Sequence, residues 1–384
     1  MNIVVSGPSR AENFISTKSG HLDSESTHDD TKEDINLNHT FIQKRRIDHL
    51  RQACEHENLK EAIYVGEQKQ SMYYNKNYNF SFCEVPKCGS TFWHQTFAVL
   101  ENGIAIEEKV YTMQRISVHS PKVVKKTNIS EIDKNTPSVL VSRNPYSRLY
   151  SAYIDKSFLT FHSEINCEIR KVSRNNSCPT DVTFQEFSDF VIRTAVSGET
   201  IDAHYAPISS LCPPCQRIAT YLVKQETFAS DAMFILKNFG VEKDKLDIIK
   251  SALHDKRILY TIPGIIKTAY KKLRKGDRAL PASLLANKLW TSFQIQGYIP
   301  DTVNLPLSRF SSEEEYADVN YFIKVVMHTT EEHKLSSDEA EQQRRKAFVN
   351  AYREINTNTI DMIREIYKAD IEMFDYEDYP PDEY

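Results

Sequence analysis

Residues 82–93 read FCEVPKCGSTFW, and residues 139–153 read VLVSRNPYSRLYSAY. Each is a short apolar strand that runs into a turn carrying cationic and hydroxyl groups, followed by a helix. In the first, Phe80, Phe82 and Val85 make the strand, and Pro86 ends its hydrogen bonding. Lys87 then presents a charge at the mouth of the next helix. Gly89 lets the backbone turn tightly, and Ser90 and Thr91 fall where exposed N–H groups and hydroxyls meet an anion. In the second, Val139–Val141 are the strand and Arg143 is the cation at its end. Ser151, eight residues further on, lies about two turns into the following helix. Taken singly, such features also read as an ordinary helix N-cap and a surface arginine. Together, two anion cradles on neighbouring strand ends suit a ligand with two separated phosphate-type groups. The first is not a Walker A loop, because its lysine precedes the glycine and GxxxxGK[ST] is missing.

PKCGSTFW (residues 86–93) resembles the 5′-phosphosulfate loop of sulfotransferases. RNPYSRLYSAYIDK resembles their 3′-phosphate motif, as found in the Golgi carbohydrate sulfotransferases of the chondroitin/dermatan/GalNAc 4-O-sulfotransferase type. DAHYAPISSLCPPCQRIATYLVKQET (202–227) and IYKADIEMFDY (366–376) resemble two further motifs of that subgroup, in the same order along the chain. The resemblance runs from about residue 46 to 376. It implies an α/β fold in which a P-loop-like parallel sheet is flanked by helices, forming a single sulfotransferase domain. Asn144 stands where the family commonly has Asp, and Tyr205 where it has Trp. The Asn lacks a carboxylate that could orient Arg143.

Composition agrees with a soluble globular protein: of 384 residues, 40% are hydrophobic and 26% charged. The net charge of −5 is unevenly placed, with six acidic residues in 23–34 and six in 372–384. Without those ends the remainder is positive, which suits an anionic donor and an anionic polysaccharide. No apolar run approaches the length of a membrane span, and Met1–Val5 make no signal peptide. The family is normally anchored in the Golgi membrane, so the resemblance implies a Golgi-lumenal enzyme whose N-terminal anchor is absent from this sequence. Sequons at Asn38, Asn128 and Asn175 agree with a secretory route.

Of the seven cysteines, Cys212 and Cys215 read as a redox pair, half a zinc site or members of disulfides. Cys167 and Cys178 bracket a polar insert that a bridge would restrain. A bridge from Cys54 to Cys83 would tie the first helix to the first strand, leaving Cys88 as the free thiol.

Along the chain, residues 1–45 read as a disordered stem, 46–376 as the domain and 377–384 as an acidic tail. A helical pattern begins near Phe41 and a last helix spans about 339–369. Strands fall near 78–85, 138–141 and 217–224. Thr183 with Glu186 forms a capping box that opens a helix. The basic run Lys267, Lys271, Lys272, Arg274, Lys275 and Arg278 reads equally as a solvated helix face and as a glycan track. It lacks the aromatic interleaving of a nucleic-acid site.

The resemblance implies 3′-phosphoadenylyl sulfate (PAPS) as sulfuryl donor, a glycan or proteoglycan as acceptor, and no metal. Pro86, Lys87, Cys88, Gly89, Ser90, Thr91 and Phe92 would surround the 5′ side, while Arg143 and Ser151 would clamp the 3′-phosphate. Lys87 is the candidate for charge on the leaving oxygen. His204, which opens the third motif, is the candidate base, with Glu226 in reserve. A kinase-type phosphotransferase and an inactive glycan-binding relative stand as alternatives. The first would need a Walker lysine and a carboxylate for Mg²⁺.

Overall fold

The computed structural model describes residues 27–56, 59, 70–102, 110–111, 118–159, 164–173, 181–253, 257–273 and 281–383. Four strands form one sheet in the order β1 (Met72–Asn75), β2 (Phe80–Cys83), β3 (Ser138–Ser142) and β4 (Tyr221–Lys224). β2, β3 and β4 are parallel, and every residue of β2 and β3 is buried, as expected for strands covered on both faces. β1 was not foreseen. It is an antiparallel edge joined to β2 through the turn at residues 76–79, with Met72 opposite Cys83. The sheet is therefore mixed, with a parallel core.

Helices follow the strands in the expected alternation: α1 (Thr27–Glu55), α2 (Ser90–Asn102), α3 (Pro145–Tyr153), α4 (Glu164–Ser173), α5 (Phe184–Val196) and α6 (Phe228–Asn238). α2 carries Trp93 and Phe97 onto the sheet, where they pack on Phe80 and Phe82. The capping box at Thr183 and Glu186 opens α5 as the sequence indicates. α3 widens at its end into a π-helical turn, Ile154–Phe158, which carries Asp155 and Lys156.

α1 begins at Thr27, well before Phe41, and its second half carries Gln43 and Arg46. That half closes the free edge of β4. The Gln43 side chain accepts a hydrogen bond from Leu222 N–H (3.0 Å), and the Arg46 guanidinium donates to the Leu222 carbonyl (3.0 Å) and to Asp231 (2.6 Å). The C-terminal region is two helices, Ser337–Arg353 and Thr357–Met373, where one was expected. Asn356 caps the second by accepting from Thr359 N–H, so the chain breaks at a polar link inside an otherwise continuous apolar stripe.

The expected Cys54–Cys83 bridge is replaced by Cys54–Cys215 and Cys83–Cys212. Folding brings the segment before β4 against the end of β2, so the pair Cys212/Cys215 is neither a zinc half-site nor a redox pair. Cys88 is the free thiol, buried. Cys167 is also disulfide-bonded. Cys178 and Arg274–Arg278 lie outside the described residues, as do residues 1–26. Among the described residues no helix is long and apolar enough to cross a membrane.

Candidate active site

The carboxyl ends of β2, β3 and β4 lie along one edge of the sheet, and the turns that follow them meet there. After β2 the backbone reverses through Lys87 (φ 69°) and Gly89 (φ 73°), both left-handed. For a lysine this conformation carries about 1–3 kcal/mol of strain, held here by the fully buried residues on either side, Val85 and Cys88. A Cβ on Gly89 would come within 2.4 Å of the Phe228 ring, so glycine is required by packing as well as by φ. The first ladder bond of α2 runs from Trp93 N–H to the Gly89 carbonyl (3.1 Å). The N–H groups of the preceding turn therefore face out of the helix mouth, where an anion binds.

Arg143, at the end of β3, reaches into this turn. Its guanidinium donates to the Lys87 carbonyl (3.0 Å) and to Ser147 Oγ (3.0 Å), tying the two motifs together. Burial lowers its pKa, against the smaller opposing pull of Cys88 and the Glu226 carboxylate. The Asn144 side chain caps α3 by accepting from Ser147 N–H (3.1 Å), so the helix start survives the loss of a carboxylate. Asn144 N–H donates to Glu226 (3.2 Å), whose other oxygen accepts from the Tyr376 hydroxyl (3.1 Å). Glu226 thus belongs to the Arg143 side of the site. Ser151 is half-buried on α3.

Lys87 and His204 come from sequence positions far apart, and the Lys87 ammonium disfavours a positive charge on His204. The Lys87 ammonium pairs with Asp155 on the π-helical turn (3.2 Å), its side chain 8% exposed. His204 Nδ1 lies 2.6 Å from Asp202 Oδ1, so the carboxylate holds the proton on that nitrogen. Burial, then the cations Lys156 and Lys87, lower the His204 pKa against the opposing pull of Asp202. The imidazole is kept neutral, as a base requires.

Arg148 was not foreseen. It is 1% exposed and donates to three backbone carbonyls: Pro86 (3.1 Å), Ala206 (2.5 Å) and Ala203 (2.8 Å). One side chain therefore clamps the lysine turn to the segment that carries His204. Asp370 on the C-terminal helix supports the same segment by accepting from Ile208 N–H (2.6 Å) and Ser209 N–H (2.8 Å). The arginine lies in the RNPYSRLYSAY motif, so its charge inside an apolar helix stripe was the available signal. Burial pushes the Cys88 thiol up to about 11, so it carries no reactive thiolate.

Behind the turn lies a polar cluster that sequence reading did not assemble. Glu84 Oε1 meets His94 Nε2 (3.0 Å) and His119 Nδ1 (3.2 Å). The Glu84 carboxylate also meets the Tyr73 hydroxyl (3.3 Å) and Lys126 (3.9 Å). Burial raises the Glu84 pKa, but the hydrogen bonds from His119 and His94 outweigh it and hold the carboxyl well below its usual range. Among the described residues this is the one group of three whose potential ligand atoms lie within 4.8 Å of one another. His119 Nε2 in turn faces Thr91 Oγ1 at 3.2 Å.

A family model described as the sulfotransferase family matches residues 70–260. Carbohydrate sulfotransferase 9 of Homo sapiens is 29% identical over 191 residues, covering 45% of this chain and 42% of that protein. Carbohydrate sulfotransferase 11 of Danio rerio is 26% identical over 225 residues, 53% of this chain and 63% of that protein. Carbohydrate sulfotransferase 10 of Rattus norvegicus is 24% identical over 218 residues, 51% and 61% respectively. The aligned part thus spans about half of the chain and between 42% and 63% of these relatives. No solved structure matches the chain significantly. The matched residues contain the lysine turn, Arg143 and His204, and on that agreement the chain belongs to the sulfotransferase family.

Proposed function

We propose that this chain is a PAPS-dependent carbohydrate O-sulfotransferase acting in the Golgi lumen on a GalNAc-containing glycan of the chondroitin/dermatan or N-glycan type. The observation that carries the proposal is the bond from Arg143 to the Lys87 carbonyl, which unites two anion cradles at adjacent parallel strand ends. The residues present fit such a donor: a helix mouth with free N–H groups, a guanidinium fork and an ammonium face one edge of the sheet.

When bound, PAPS supplies a sulfuryl group on a phosphate leaving group. The first-turn N–H groups with Ser90 and Thr91 hold the 5′ side, and Arg143 with Ser151 holds the 3′-phosphate. Lys87 exchanges Asp155 for the bridging oxygen and stabilises the charge that develops as the S–O bond to the phosphate breaks. His204, its Nδ1 proton fixed by Asp202, takes the acceptor proton at Nε2 as the new S–O bond forms. Positioning and electrostatics supply the catalysis.

The test is transfer of radiolabelled sulfate from PAPS to chondroitin, desulfated dermatan and GalNAc-terminated glycans. Label in one acceptor, lost in Lys87→Ala, is expected. No transfer to any acceptor, with thermal stabilisation by ATP and not by PAPS, would overturn the reading in favour of a phosphotransferase.

A further inference from the structure

We propose that Glu84, His94 and His119 form a divalent transition-metal site, with a donor set that suits zinc, fastening α2 and the segment before β3 to the end of β2. The proposal does not depend on the donor assignment. The ion stands behind the lysine turn, outside the sulfuryl transfer, for which the family resemblance implies no metal.

Three separate parts of the chain converge on one point. Glu84 follows β2 directly, His94 lies early in α2, and His119 belongs to the segment before β3. Glu84 Oε1 stands 3.0 Å from His94 Nε2 and 3.2 Å from His119 Nδ1. The potential ligand atoms of all three lie within 4.8 Å of one another. Around an ion held at about 2.0–2.2 Å, neighbouring ligand atoms stand about 3–3.5 Å apart, so only small adjustments are needed to receive one. The donor types select among ions. Two imidazoles and one carboxylate suit zinc, whereas calcium and magnesium take oxygen ligands.

The surroundings support a built site. The Glu84 and His94 side chains are 12% and 1% exposed, and that of His119 is 28% exposed, which leaves a way in from solvent. The second Glu84 oxygen accepts from the Tyr73 hydroxyl (3.3 Å), which orients the carboxylate. With Nδ1 on the ion, His119 keeps its proton on Nε2 and donates it to Thr91 Oγ1 (3.2 Å). The ion thereby ties Thr91, in the turn that opens α2, to the end of β2. His94 Nδ1 is unpaired among the described residues whether it bears a lone pair or a proton, so it does not choose between an ion and a hydrogen-bonded cluster. Lys126, 3.9 Å from Glu84, donates to Ser71 Oγ (2.7 Å), and its side chain is 59% exposed, so solvent screens its charge.

The test is metal content. The full chain, stripped with dipicolinic acid, is dialysed against zinc sulfate, desalted and measured by plasma mass spectrometry. The parent should retain one equivalent of zinc. His119→Ala and Glu84→Gln should each weaken zinc binding by at least about 10–100-fold, the loss typical of removing merely an outer partner of a ligand. Zinc should raise the melting temperature of the stripped parent and leave that of both variants unmoved. His119 is partly exposed and Gln keeps the size of Glu84, so these substitutions spare the fold better than any change at buried His94. No zinc in the parent, or one equivalent held equally by the parent and both variants, overturns the proposal and leaves a hydrogen-bonded cluster. Neither measurement uses the sulfuryl donor, so failure of the proposed function would leave this result untouched.

Discussion

Replacing Arg148 tests the frame of the site more severely than replacing any residue that faces the ligand. The guanidinium is 1% exposed and bonded to three carbonyls from two separate segments. Bonds to a charged donor contribute about 1.5–3 kcal/mol each, or about 5–9 kcal/mol gross for three. Removing the side chain also relieves the desolvation of a buried cation, which takes back several kcal/mol. Arg148→Ala should therefore destabilise the fold by about 3–5 kcal/mol, a large share of the 5–15 kcal/mol typical of a domain. Urea unfolding followed by the fluorescence of Trp93 and Trp290, both buried, would measure it. Arg148→Lys should recover little, because an ammonium does not reproduce the planar fork that spans three carbonyls. If both variants unfold within about 1 kcal/mol of the parent, the clamp is not what joins the lysine turn to the His204 segment.

Arg143→Ala should weaken adenosine 3′,5′-bisphosphate binding by about 2–4 kcal/mol, and unchanged calorimetric affinity would remove Arg143 from the site. His204→Ala should cut turnover by about 10²–10⁴-fold with donor affinity nearly unchanged; near-parental turnover would make His204 structural. Because the lowered pKa keeps His204 neutral further into acid, activity should persist below the usual imidazole range. Removing the Lys156 cation raises that pKa, so Lys156→Ala should move the acid limb of the rate profile to higher pH. An unmoved limb would assign the base to another group. Mass spectrometry of alkylated native protein should find Cys54–Cys215 and Cys83–Cys212 bridges and an unmodified Cys88, and a Cys54–Cys83 peptide would contradict the fold around β2.

What could be read from the sequence was local. The turn after β2 and the start of α3 announce themselves through Pro86, Gly89 and Asn144–Pro145, whose backbone preferences act within a few residues. The capping box at Thr183 and Glu186 is legible for the same reason. β1 escaped because four residues, MYYN, form a strand only through pairing with β2. The cysteine pairs escaped because chain separations of 161 and 129 residues leave no trace in spacing. Arg148 and His119 escaped differently: one reads as a surface charge and the other as a loop histidine until the fold supplies three carbonyls to the first and Glu84 to the second. The break at Asn356 escaped because the apolar stripe continues on either side of it.

The two bridges also bear on how the chain is made. Cys54 and Cys83 both emerge from the ribosome long before Cys212 and Cys215, their native partners. In an oxidising compartment they wait as two thiols with each other and Cys88 at hand, and then Cys167 and Cys178. The nearest pairing in sequence, Cys54 with Cys83, is thus the mispairing that translation order favours. Completing β4 and its preceding segment then requires exchange of that early bond by a thiol-disulfide isomerase. Yield in a heterologous host should follow isomerase supply more closely than codon usage or temperature.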